Sequence, residues 1–212
     1  MRTLYHYRMS PFSRRVRLAL AHKGLSAELR DPRENPAFGE EARRLTALRT
    51  MPVLVDDGRV VADSTAIARW LDAAYPEGPA LWPREDAELT LEAATLVDAT
   101  LDLLVNLGTR YYALRDSPAW PGVKEELLGR ARLAAGALAG RVTSVGRPTL
   151  ARGGWSAADM AVLTMVLWCE GWAARAPTSP NIAQVTSLGF ELPGALARWA
   201  DAHRGRADVA AL

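Results

Sequence analysis

The feature that most constrains the fold is a change in periodicity along the chain. Up to about residue 75, strand-like and helix-like patterns alternate, whereas the later residues carry helical patterns almost throughout. The first part reads as β-α-β-α-β-β-α, and the second part predicts helices only. The sequence therefore predicts an α/β unit followed by an all-α unit.

The elements of the first part are marked by local signals. Strands are predicted at 3–7, 26–30, 53–55 and 59–62, and Asp56-Asp57-Gly58 predicts the turn of a hairpin between the last two. A helix begins at Pro11 and ends at Lys23-Gly24, a weaker one spans 37–48, and Asp63-Ser64-Thr65 caps a third that reaches Tyr75. The unit is thus complete by residue 76.

A connector rich in proline separates the two parts, since Pro76, Pro79 and Pro83 follow one another closely. It predicts domains at 1–76 and 84–212. Helices are expected at 84–114, 122–145, 157–176 and 194–203, whereas residues 178–192 show no recognisable motif. Ser156 with Asp159 three residues later predicts a capping box at the start of the third of these helices.

Composition excludes several classes of protein. In 212 residues, 49% are hydrophobic and 24% are charged, as in ordinary globular proteins. The net charge is +2, and basic and acidic residues are interspersed along the chain. Because they form no basic stripe, no nucleic-acid partner is expected. The single cysteine, Cys169, excludes an internal disulfide and a multi-cysteine metal site. Without a signal-peptide pattern or a stretch of ~20 apolar residues, a cytoplasmic location away from the membrane is expected.

Ser10 is the candidate reactive-centre residue. It precedes Pro11 at the start of the first helix, where unpaired backbone N–H groups and the helix dipole stabilise an anion. Proline suits the first helical position and pushes the residue before it into the extended geometry of a cap. A purely structural N-cap, contributing ~1 kcal/mol, is the alternative interpretation.

Four passages resemble the cytosolic glutathione S-transferases. Residues 10–20 with Lys23-Gly24 resemble the active-site segment of the serine-type members. Met51-Pro52-Val53-Leu54 resembles the turn that carries a cis-proline, and Asp63-Ser64 resembles the acid-serine glutathione motif. Residues 156–159 match the capping box of a core helix in the same family. The resemblance implies a thioredoxin-like N-terminal domain and an all-helical C-terminal domain.

The same resemblance implies roles for individual residues. Ser10 would donate a hydrogen bond to the glutathione thiolate, and the Met51 backbone, exposed by a cis Met51-Pro52 bond, would pair with the cysteinyl backbone. Asp63 and Ser64 would receive the γ-glutamyl group. The expected glutathione-binding residues are Phe12, Met51, Pro52, Asp63 and Ser64. The nearby cations for the glycyl carboxylate are Arg43, Arg44 and Arg49.

The acceptor pocket is expected between the two domains. Its candidate aromatic residues, any of which could instead be core, are Tyr111, Tyr112, Trp120, Trp168 and Trp172. An apolar electrophile is the expected substrate. The resemblance further implies a homodimer, with glutathione as co-substrate and with no metal or other cofactor.

The chain also departs from the pattern of the family that it resembles. The Asn-Pro and Gly-Lys pairs that many members carry ahead of the cis-proline are absent, and His6 stands where tyrosine-type members have their phenol. Serine at position 10 argues against thiol-disulfide chemistry. The Ser-Ser-Cys run of maleylacetoacetate isomerases is represented by its first serine alone. A glutathione transferase is therefore the leading interpretation, with a non-catalytic binding protein and a glutathione-dependent isomerase or dehalogenase as alternatives.

Overall fold

The strands and helices follow the predicted order. The computed structural model describes the backbone of residues 1–212 and all side chains except those of Asn181 and Ala211. The strands are β1 (Arg2–Tyr5), β2 (Glu28–Arg30), β3 (Val53–Asp56) and β4 (Arg59–Ala62). The helices are α1 (Pro11–His22), α2 (Pro36–Leu45), α3 (Ser64–Ala74), α4 (Ala87–Leu114), α5 (Trp120–Ser144), α6 (Ala157–Arg175), α7 (Pro180–Thr186) and α8 (Gly194–Asp201). The expectation of an α/β part followed by a mostly helical part is confirmed.

The four strands form one mixed sheet in the order β2-β1-β3-β4. β1 runs parallel to β2, which α1 makes possible by crossing over between them, and antiparallel to β3, with Leu4 opposite Leu54. The β3–β4 hairpin turns at Asp57 and Gly58, whose φ angles of 46° and 83° are those of a type I′ turn. The Asp-Gly turn signal is therefore confirmed.

The end of α1 also follows its sequence signal. Gly24, with φ 67°, lies just beyond the helix and donates to the carbonyl of Ala21, while Leu25 donates to that of Leu20. A left-handed residue at this place satisfies the last helical carbonyls and is most easily a glycine.

The helical region packs around α6. All residues from 157 to 166 are buried, because this helix lies between α1 and α4 and all but two of its side chains in this stretch, Asp159 and Thr164, are apolar. The predicted capping box at its start is present between Ser156 and Asp159. One hydrophobic cluster joins Leu4 and Leu18 to Leu101 and Met160. The sheet and the helices therefore share a continuous core.

Some boundaries differ from those predicted. Residues 84–86 form a short 3-10 helix ahead of α4, and α2 ends at Leu45 because Thr46 is extended and its hydroxyl accepts the N–H of Leu48. The helix α7 was not predicted, although Ser179-Pro180 at its start repeats the pattern of Ser10-Pro11. No helix in the described part of the chain is long and apolar enough to cross a bilayer.

Candidate active site

Ser10 lies at the N-terminus of α1, as predicted. Its φ and ψ of −68° and 131° are extended, and Pro11 follows at the first helical position. The half-buried Ser10 Oγ accepts the N–H of Ser13 at 3.4 Å, a long hydrogen bond. Because the oxygen acts as acceptor in this contact, the hydroxyl proton is left to donate elsewhere.

The loop between β1 and α1 is held in place from within. The buried Ser13 Oγ accepts the N–H of Tyr7 at 3.2 Å. The carboxylate of Asp31, also buried, accepts the N–H groups of Arg8 and Arg33, each at 2.8 Å. These bonds fix the backbone that leads into Ser10, so the hydroxyl is presented by a rigid support.

The Met51–Pro52 peptide bond is cis, as the family resemblance predicted. Pro52 is buried directly before β3, while the partly buried Met51 packs against Tyr5, Ala42 and Val53.

The N-terminus of α3 is capped by Asp63, whose Oδ1 accepts the N–H groups of Thr65 and Ala66 at 2.9 and 3.0 Å. Asp63 is exposed and has φ 78°. Ser64 is buried, and its Oγ accepts a bond from Arg15 Nη1 at 3.3 Å. The acid of the motif thus serves the helix backbone, and the serine faces inward.

Arg15 connects three helices at this point. It is 1% exposed, donates to Thr65 Oγ1 at 3.3 Å and forms an ion pair with Asp98 on α4, with Nη2 2.7 Å from Oδ1. Thr65 in turn donates to Asp98 Oδ2 at 3.3 Å. Arg15 was not among the residues that the sequence pattern predicted for the site. A signal was nevertheless present, because Arg15 falls on the same helix face as the fully buried Ala19.

Negative charge accumulates beside the start of α3. Asp102 lies one turn after Asp98 on α4, and its pKa is raised by burial and then by the charges of Asp98 and Asp63. Three carboxylates therefore face one region, which suits a bound ammonium group.

Tyr5, His6 and Cys169 are poorly placed to stabilise a thiolate or to act as the nucleophile. The Tyr5 hydroxyl lies 3.0 Å from a carboxylate oxygen of Glu41 and accepts from Arg30 at 3.1 Å, and burial followed by the Glu41 bond raises its pKa. His6 is buried, and desolvation with the charge of Arg17 lowers its pKa. Burial raises the pKa of Cys169 to about 12, so this thiol is not a nucleophile at neutral pH.

The remaining glutathione candidates lie in varied surroundings. Phe12 is partly buried against the main hydrophobic cluster, and its ring centroid lies 5.8 Å from the guanidinium carbon of Arg15. Arg43 and Arg44 are exposed at the end of α2, and Arg44 is paired with Glu40 at 3.5 Å. Arg49, also exposed, has φ 51°.

Two adjoining apolar cavities, of about 300 and 260 Å³, lie between α4, α6 and α7. Trp168 and Trp172, with ring centroids 5.4 Å apart, line both cavities, and Tyr112 lines the second. Tyr111 and Trp120 instead pack against each other, with ring centroids 5.6 Å apart, and line neither cavity. All described lining residues fall between 104 and 192, so these cavities belong to the helical part.

Among the side chains that the structure describes, no cluster of three or more His, Cys, Asp or Glu residues could hold a metal ion.

Comparisons with known proteins agree with this architecture. Residues 4–79 match the family model of the glutathione S-transferase N-terminal domain. Glutathione S-transferase Z1 of Arabidopsis thaliana is 40% identical over 84 residues, which cover 39% of this chain and 38% of that protein. The chain spans about half the length of several other curated relatives it matches.

Solved structures extend the likeness to the whole chain at low identity. A glutathione S-transferase of Methylobacillus flagellatus with glutathione bound superposes with a TM-score of 0.75 at 23% identity, over 99% of this chain and 98% of that one. A maleylacetoacetate isomerase of Anaeromyxobacter dehalogenans with glutathione in its active site superposes with a TM-score of 0.70 at 24% identity. The match covers 100% of this chain and 94% of that one. Residues 4–79 therefore match the family of glutathione S-transferase N-terminal domains, and the chain as a whole has the glutathione S-transferase fold.

Proposed function

We propose that this chain is a glutathione transferase of the serine type, in which Ser10 holds the glutathione sulfur as a thiolate. The observation that carries the proposal is the Ser10 hydroxyl at the N-terminus of α1, with its proton free to donate. A free thiol has a pKa near ~8.5, so little of it is ionised at neutral pH. A charge-assisted hydrogen bond and the helix dipole favour the anion, and each unit of pKa depression needs about 1.4 kcal/mol.

The reaction that follows is nucleophilic substitution or addition. The thiol releases its proton to solvent, and the sulfur then forms a bond to an electrophilic carbon. In a substitution, the leaving group departs with the electron pair of the bond that breaks. Ser10 stabilises charge throughout and forms no covalent bond itself.

The rest of the tripeptide would lie along the first domain, 1–76. Its γ-glutamyl ammonium would face the carboxylates near α3, and its γ-glutamyl carboxylate would face the α3 N-terminus above Arg15. The cysteinyl backbone would pair with Met51 beside Pro52 and Phe12. For the glycyl carboxylate we propose the exposed arginines Arg43, Arg44 and Arg49. The second domain, 84–212, would supply the acceptor pocket, and two copies would form a homodimer.

Replacing Arg15 with methionine is expected to weaken glutathione binding by about tenfold, because hydrogen bonds to a charged group contribute about 1.5–3 kcal/mol. Loss of the guanidinium removes positive charge from beneath the α3 N-terminus and breaks the bonds from Arg15 to Ser64, Thr65 and Asp98. Calorimetric titration with glutathione measures the effect.

The matched control for this experiment is Arg84→Met, which removes an exposed arginine from the short 3-10 helix ahead of α4. It should bind glutathione as the wild type does. An Arg15→Met variant that is folded by circular dichroism and keeps wild-type affinity would contradict the role assigned to Arg15.

The decisive test of the function is the titration of the bound thiol, followed by thiolate absorbance in the ultraviolet. We expect an apparent pKa below the ~8.5 of the free thiol. The protein should also catalyse the conjugation of glutathione to a generic aryl halide. Glutathione bound without a lowered pKa and without any adduct would favour the non-catalytic alternative.

Isomerisation is the second candidate function, and similarity to a protein named maleylacetoacetate isomerase favours it. An isomerase returns glutathione unchanged, whereas a transferase consumes it in an adduct. Mass spectrometry of the products with candidate substrates distinguishes the two. Pro11 and Phe12 stand where isomerases carry the second serine and the cysteine, which supports the transferase.

A further inference from the structure

Four arginines gather around the first turns of α1 and form what we call the basic cluster. They are Arg8, Arg14, Arg17 and Arg175. In the described chain, none of the four has a carboxylate oxygen within 4.0 Å, although many other arginines are paired. Arginines on an exposed surface need no counter-ion, but these are not all exposed.

Burial makes the missing counter-ions unusual. Arg17 is 8% exposed, and its Nη2 donates only to the carbonyl oxygen of Arg8 at 2.9 Å. Arg14 is partly buried, and the neighbour of its Nη2 is the thioether sulfur of Met9 at 3.5 Å, a weak acceptor. The Nε atoms of Arg14 and Arg17 are buried without an acceptor among the described residues. Unsatisfied buried donors of this kind are costly.

The arginines also repel one another. Burial lowers the pKa of Arg14 most, followed by the charges of Arg175 and Arg8. Asp31 is the acid that faces Arg17, but both of its oxygens already accept backbone N–H groups. The N-terminus of α1 adds further positive potential. An anion bound among these groups would relieve both the repulsion and the unmade hydrogen bonds.

Two members of the basic cluster, Arg14 and Arg175, lie near Ser10 and near the apolar cavities respectively. Arg14 is one turn into α1, since its N–H bonds to the Ser10 carbonyl at 2.9 Å. Arg175 ends α6, the helix that packs on α1, and its guanidinium carbon is 5.9 Å from the ring centroid of Trp172. Trp172 lines both cavities. A ligand that filled a cavity and reached toward Ser10 would therefore pass this pair of arginines.

We propose that Arg14 and Arg175 bind a carboxylate on the acceptor substrate, whose apolar body occupies the cavities beside Trp168 and Trp172. The preferred electrophile is then an apolar organic acid and not a neutral molecule. Guanidinium groups suit this ligand because they bind carboxylates through two parallel hydrogen bonds. The inference rests on the proposed function, since it names the substrate class of the same site.

Two matched electrophiles test the proposal, a chloronitrobenzoate and the chloronitrobenzamide with the same ring substitution. In each, the thiolate sulfur bonds to the ring carbon that carries chlorine, and chloride leaves. After correction for the uncatalysed rates, the wild type should favour the benzoate in kcat/KM. Arg14→Gln and Arg175→Gln should each lower kcat/KM for the benzoate by about tenfold or more and leave the benzamide nearly unchanged.

The control variant is Arg198→Gln, which removes an exposed arginine of α8 and should alter neither rate. Equal losses for both electrophiles, or no preference in the wild type, would overturn the carboxylate site. Weaker binding of glutathione itself by Arg14→Gln and Arg175→Gln would also overturn it, because the cluster would then hold the glycyl carboxylate.

A binding measurement separates this inference from the proposed function. Calorimetry with an S-carboxyalkyl glutathione and its amide should show tighter binding of the acid by the wild type, a preference lost in Arg175→Gln. Equal affinity for both would refute the carboxylate site while leaving the glutathione site in place. Failure to bind glutathione or either conjugate would refute the proposed function, and this inference with it.

Discussion

Replacing Ser10 with alanine is expected to lower the turnover number by about 10²-fold while leaving glutathione binding largely intact. The size of this decrease in turnover follows from the loss of one preorganised hydrogen-bond donor to a developing or bound anion. The fold should survive, because the Ser10 bond to the Ser13 N–H is long at 3.4 Å and an N-cap contributes only ~1 kcal/mol. Steady-state kinetics with a generic aryl halide, together with the pKa of the bound thiol, measure the effect.

Two further variants make this test specific. Ser10→Thr keeps a hydroxyl at the α1 N-terminus and should recover part of the lost turnover. Ser26→Ala, at an exposed serine before β2, should behave as the wild type. Unchanged turnover in Ser10→Ala would transfer the stabilising role to the backbone N–H groups of α1 or to the phenol of Tyr7.

Local signals predicted the elements because short-range physics determines them. The turn at Asp57-Gly58, the left-handed Gly24 after α1 and the capping box at Ser156 each depend on a few neighbouring residues. The cis bond before Pro52 followed from family resemblance, since base rates alone favour trans. Local signals, read in their order along the chain, were thus enough to predict most of the fold.

The chemistry of the site depends on contacts that no local pattern contains. Arg15 and Asp98 are 83 positions apart in sequence, yet their ion pair joins α1 to α4. Arg14 and Arg175 are brought together only because α6 packs on α1. The helical periodicity could place Arg15 on a buried face of α1, but its partners are determined by tertiary packing.

The acid-serine motif at the start of α3 makes contacts that its sequence pattern did not predict. The sequence placed Ser64 and its neighbouring N–H groups where an anion could bind. In the structure, Asp63 takes the N–H groups of Thr65 and Ala66, and Ser64 turns inward to Arg15. Side-chain caps compete with ligands for the same backbone donors. We infer that the positive charge beneath this helix comes from Arg15.

Replacing Asp159 with alanine is expected to lower the free energy of unfolding by about 4 kcal/mol. This carboxylate is fully buried at the start of α6 and accepts three bonds, from the Leu150 N–H at 2.7 Å, the Ser156 N–H at 2.9 Å and the Ser156 hydroxyl at 2.6 Å. Each buried donor left unpaired costs about 1–3 kcal/mol, and the three losses overlap. Urea denaturation measures the change, and Asp201→Ala at an exposed position of α8 is the control.

The same carboxylate should make stability depend on pH. Burial outweighs the hydrogen bonds from Ser156 and Leu150 and raises the pKa of Asp159 to about 6. Between pH ~4 and ~6 the folded chain retains a proton that the unfolded chain has lost, so this group's contribution to stability falls as pH rises through that window, by about 3 kcal/mol in all. Asp159→Asn, which cannot titrate, should lack this decline relative to the wild type. Parallel stability profiles for the two proteins across that range would show that the buried carboxyl does not hold its proton.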